Sequence, residues 1–99
     1  MIEPSKIIGF DWDDGNVRKN EKHAVTTSES EQVFFNTPLL LLEDTRHSGS
    51  ELRFHALGMT DEARALHITF TLRDHATKVR VISARDMHRK EREIYEKGA

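Results

Sequence analysis

The chain of 99 residues has no cysteine, which excludes a disulfide framework and any thiolate metal site. No apolar run approaches the ~18–20 residues of a membrane helix, and the N-terminal residues carry no signal-peptide pattern. The sequence is therefore read as a soluble, cytoplasmic protein. There is no glycine-rich phosphate loop, internal repeat, low-complexity tract or linker, so residues 1–99 read as one domain. None of the six histidines, at 23, 47, 55, 67, 75 and 88, forms a helical H-x-x-x-H pair. His55 and His67 can meet across strands, but a third ligand is not evident, so no metal and no other cofactor is expected.

Hydrophobic residues make up only 36% of the chain and charged residues 32%. One modest core must therefore come from a few segments: Ile7-Ile8, Val33 to Phe35, Leu39 to Leu42, Leu66 to Leu72 and Val79 to Ile82. Trp12 and the phenylalanines at 34, 35, 54 and 70 are read as core. The net charge is −2, which argues against strong non-specific nucleic-acid binding, a process driven by phosphate neutralisation. The charge is unevenly spread, at −4 over residues 1–50 and +2 over residues 51–99. From Lys78 to Arg92, six basic residues face two acidic ones, Asp86 and Glu91.

A short first strand is expected near Ile7 to Phe10. Asp13 is a helix cap for Asp14 to about Lys22, and Thr26-x-x-Glu29 is a capping box opening a helix from Thr27 to Phe35. That helix stops before Asn36-Thr37-Pro38. Leu39 to Glu43 reads as a strand and residues 44–50 as a polar loop. Alternation predicts strands over Glu51 to Leu57, Arg64 to Arg73 and Lys78 to Ser83. Ser83 or Asp86 would cap a last helix from Asp86 to Lys97, on which Arg85, Arg89 and Arg92 would form one stripe. The fold class is α+β: an antiparallel meander of about four strands with helices packed on one face. The other face would show Arg53, His55, His67, Thr69, Lys78 and Arg80.

The ordered set Phe10-Asp11-Trp12-Asp13, Asn20-Glu21-Lys22-His23, Val33-Phe34-Phe35 and Asp44-Thr45-Arg46-His47-Ser48 resembles the BrnT family. So do Glu51-Leu52-Arg53-Phe54, Leu57-Gly58, Ile82-Ser83-Ala84-Arg85-Asp86, and Arg89, Glu91-Arg92 and Tyr95-Glu96. The family places glycine after Lys-His, and this chain has Ala24. The resemblance implies a toxin of a type II toxin–antitoxin operon with a RelE-like fold. It also implies metal-independent cleavage of RNA, in which a ribose 2′-hydroxyl attacks the adjacent phosphate. A ribbon-helix-helix antitoxin would silence it, and the complex would bind operator DNA.

Such chemistry needs cations on the phosphate oxygens and a proton donor and acceptor. Arg80 and Arg85 are the candidates for phosphate contact, since the guanidinium fork matches phosphate oxygens. Lys22 and His23 could supply a base, or favour a local helix dipole. Tyr95 could donate a proton or stack on a base, or else pin the last helix. Arg46, His47, Arg53, Arg89 and Arg92 are candidate RNA contacts. A non-catalytic binding module of the same fold is the alternative.

Overall fold

The computed structural model describes residues 4–46 and 51–98. A 3-10 turn, Pro4–Lys6, precedes β1 (Gly9–Phe10), α1 (Asp14–Glu21), α2 (Thr27–Phe35) and β2 (Leu40–Asp44). Then come β3 (Arg53–Met59), β4 (Ala65–Arg73), β5 (Lys78–Asp86) and α3 (Arg89–Gly98). The strands form one sheet in the order β1-β5-β4-β3-β2, with β1 parallel to β5 and every other pair antiparallel. The class is α+β, as the alternation implies. The fifth strand comes from Gly9 and Phe10, which pair with Lys78 and Val79.

Both early helices start where their caps dictate. The Asp13 carboxylate accepts from the Asn16 amide while the Asn16 side chain accepts from the Asp13 amide. Thr26 and Glu29 make the same reciprocal exchange at α2. Satisfying the orphan amides of the first turn is what lets helices this short persist. At the end of α1, Ala24 sits at φ 54°, the left-handed conformation that glycine adopts without penalty.

The strand period of two sends Phe54, Ala56, Ile68, Phe70, Val79 and Val81 to one face, where Val33 and Phe34 of α2 close the core. Gly58 is required there, because a Cβ would lie 2.8 Å from Val33 Cγ1. The last helix lies on the opposite face, where Tyr95 and Met87 pack with Leu57 and Ala65. The helices thus occupy both sides of the sheet rather than one. The expected helix start at Asp86 is displaced as well: pairing of Leu66 with Asp86 carries β5 three residues past Ser83. Arg85 is therefore in a strand, and the expected Arg85–Arg89–Arg92 helical stripe does not form.

Arg64, unremarked in the sequence, ties these pieces together. Its guanidinium donates to Asp86, to Glu29 and to the carbonyls of His23 and Ala24. Asp86 and Glu29 hold it protonated more firmly than an ordinary arginine. Substituting Ala24→Gly removes a left-handed alanine at a cost in unfolded-chain entropy. The net effect is a gain of roughly 0.5–1 kcal/mol, read as a higher urea midpoint; an unchanged or lower midpoint would contradict the strain assigned to this residue.

Candidate functional site

The face of the sheet away from α2 carries Arg53, His55, His67, Thr69 and Thr71 by simple alternation. The last strand would break this pattern without a local irregularity. Thr69 pairs with Ser83 but Phe70 with Val81, so Ile82 is an extra residue in β5. Such a bulge reverses the side-chain phase. Arg80, Ser83 and Arg85 therefore share the polar face, and Arg85 comes opposite His67. In a regular strand Ser83 and Arg85 would point into the core.

Around a groove of about 460 Å³, His55, His67, Thr69, Arg85 and Glu91 converge, with Leu42 and Ile94 forming its apolar lips. The two imidazole rings stand 4.8 Å apart, centroid to centroid. His55 Nε2 lies 2.9 Å from a carboxylate oxygen of buried Asp44, and Nδ1 lies 3.1 Å from Thr69 Oγ1. A carboxylate only accepts, so Nε2 carries the hydrogen. In the neutral ring Nδ1 then accepts from the threonine hydroxyl. The arrangement is a base oriented by an acid, with a hydroxyl already at its free nitrogen.

On the other side of the pair, Arg85 holds Glu91 through two parallel hydrogen bonds of 2.7 and 2.8 Å. The Glu91 carboxylate also accepts from the His88 amide, an otherwise orphan donor just before α3. Burial works against ionisation of Glu91, but the Arg85 fork and the His88 amide outweigh it and hold the carboxyl at about 2. Glu91 in turn raises Arg85 above the ordinary guanidinium value. His67 Nε2 is 3.6 Å from Glu91, too far for a hydrogen bond. Burial pushes the His67 pKa down to about 4, against the pull of Glu91, so its ring is neutral near pH 7. Its Nδ1 is buried with no hydrogen-bond partner.

Farther along the same face, Lys19, Arg53, Thr71, Arg73 and Arg80 border a second hollow of about 360 Å³. Arg80 is held there by Asp13 at 2.8 Å and by Asp11 at 3.4 Å, and Arg73 pairs with Glu51. Arg80 and Arg85 thus share a face, but they lie roughly 15 Å apart along the strand and each has its own carboxylate. They do not form the single cationic corner that the sequence suggested.

The remaining candidates are scattered. Lys22 and His23 are exposed at the end of α1, with the His23 carbonyl accepting from Arg64. Arg46 is exposed and its amide donates to Asp44; His47 lies outside the described residues. Arg89 is almost fully exposed and only loosely near Glu93, and Arg92 is exposed on α3. Tyr95 is buried, its hydroxyl donating to the Pro38 carbonyl at 2.6 Å, so it pins α3 to the start of β2 rather than facing the groove. Sequence reasoning placed His55 and His67 on the right face without giving them a role. It had no signal for the bulge beyond the phase break between Val81 and Ala84.

Among the described residues, no group of three or more histidine or acidic side chains is arranged to hold a metal ion. Residues 12–91 match the model of a family described as ribonuclease toxin, BrnT, of type II toxin–antitoxin systems. No curated protein matches the chain.

The depressed pKa of His67 fixes a pH dependence. Between about pH 6.5 and 4 the unfolded chain takes up a proton at residue 67 that the folded protein refuses. Stability is therefore full above this window and falls as the pH is lowered through it. His67→Gln removes this part of the loss, on the order of 1–2 kcal/mol after allowance for solvent screening. Urea unfolding of both proteins at pH 7 and pH 4.5 measures the difference; equal losses would refute the assignment.

Proposed function

From the premise that this chain belongs to the BrnT family of ribonuclease toxins of type II toxin–antitoxin systems, we propose that it cuts RNA in the groove between His55 and Arg85, without a metal. The observation that carries this reading is the meeting of an oriented base, Asp44–His55, with an arginine fork, Arg85–Glu91, around one groove.

In this reading the Thr69 hydroxyl marks the approach of a ribose 2′-hydroxyl to His55 Nδ1. His55 takes the hydroxyl proton, the 2′-oxygen bonds to phosphorus, and the bond from phosphorus to the 5′-oxygen breaks. Arg85 stabilises the charge on the phosphate oxygens. A bound phosphate favours the protonated form of His67, which then returns a proton to the leaving 5′-oxygen. The products are a 2′,3′-cyclic phosphate and a 5′-hydroxyl. Arg53, Arg80 and Lys19 in the second hollow hold the RNA backbone leading into the groove. In this reading the chain is a RelE-like ribonuclease. The protein works in the cytoplasm, silenced by a ribbon-helix-helix antitoxin through which the complex reaches operator DNA.

One observation favours a second reading, a non-catalytic module that keeps partner recognition. Both Arg80 and Arg85 are already engaged by carboxylates of the chain itself, so a phosphate must compete with them. Incubating the purified protein with RNA in a metal chelator separates the two. The catalytic reading expects fragments ending in 2′,3′-cyclic phosphate. It expects His55→Ala to slow cleavage by ~10²–10⁴-fold and Arg85→Lys by ~10²–10³-fold, assayed at a temperature where circular dichroism shows each variant folded. Intact RNA with the parent protein would establish the module instead.

A further inference from the structure

Behind the sheet, on the face opposite the groove, Phe10, Phe34, Phe35, Leu39, Leu41 and Phe70 line an apolar cavity of about 110 Å³. Its walls are built of aromatic rings in mutual contact. Phe34 meets Phe70 edge-on at 5.0 Å, and Phe10 meets Phe34 and Phe35 at 5.6 and 5.9 Å. Its rim is open: Phe35 ends α2 with 75% of its surface exposed, although the sequence marks it as core. A single exposed aromatic is ordinary, but one standing at the mouth of a preformed apolar cavity has the form of an interface anchor pocket.

Two carboxylates stand near the cavity on α2 and β2. Glu31 lies one turn before Phe35 on α2, and its carboxylate accepts from the neutral indole of Trp12. Glu43 is exposed and follows Leu41 on the same face of β2. The cavity therefore suits an apolar side chain flanked by lysine or arginine.

We propose that this cavity is the anchor for the antitoxin, taking one apolar side chain from a basic segment of that protein. The inference rests on the toxin–antitoxin reading above, in which the partner also binds operator DNA and so carries basic residues. β2 lies at the end of the strand order, and its outer edge has no strand partner among the described residues. An extended segment passing this edge leads from the anchor to the lips of the groove at Leu42. Anchor and groove lie on opposite faces, so recognition and cleavage separate under mutation.

The test uses the product of the adjacent open reading frame as the partner. Calorimetry measures its affinity for the parent chain, for Phe35→Ser and for Glu43→Lys, each checked for unchanged melting temperature. Both substitutions fall at exposed positions, which protects the fold. Phe35→Ser is expected to weaken binding ~10–100-fold, and Glu43→Lys to weaken it by a smaller, salt-dependent factor. In cells, Phe35→Ser arrests growth like the parent but is no longer relieved by the partner. Unchanged affinity in Phe35→Ser overturns the proposal, as does absence of binding to the parent. A parent that self-associates through this face, with Phe35→Ser monomeric and partner affinity unaltered, also overturns it by giving the cavity to a second copy. Calorimetry requires no cleavage, so a chain that cuts no RNA contradicts the nuclease reading while leaving the anchor decided on its own result.

Discussion

The double hydrogen bond between Arg85 and Glu91 is the contact on which the polar face depends. It joins the last strand to the last helix, caps that helix through the His88 amide, and places a cation beside two histidines. Both side chains are mostly sheltered from water. Removing either partner would leave a charge without its counterpart in a poorly solvated place, which costs far more than the pair contributes when intact. The same contact sets the local proton chemistry. Glu91 stays ionised far below neutral pH, while His67 beside it stays neutral.

Much of the frame was legible in the residues. Asp13 and Thr26 cap the helices that their patterns announce, and alternation fixes which faces of β3 and β4 are buried. Those signals are local, so a one-dimensional reading captures them. The bulge at Ile82 is different, because an extra residue is defined only by the strand that it pairs with. Missing it carried the last helix back to Asp86 and put Arg85 on a helical stripe. The ion pairs of Arg80 with Asp11 and Asp13 escaped for a related reason: the partners are some seventy residues apart in the chain. Arg64 joins elements forty residues apart and left no local trace at all.

The departure at Ala24 shows how such a frame tolerates a poor local residue. The backbone takes the left-handed turn that glycine would favour, and Arg64 binds the Ala24 and His23 carbonyls on its far side. Tertiary contacts overrule local preference there. What emerges is a two-sided sheet, with polar machinery on one face and an aromatic cavity on the other.

The most direct test of the claim that RNA is cut on the polar face is a nuclear magnetic resonance titration. An oligonucleotide with a deoxyribose at each cut position binds without being cleaved. The account predicts the largest shifts at the imidazoles of His55 and His67 and at the Arg85 guanidinium, with smaller ones at Arg53 and Arg80. Shifts confined to the α2 face, or to exposed Arg89 and Arg92, would contradict it.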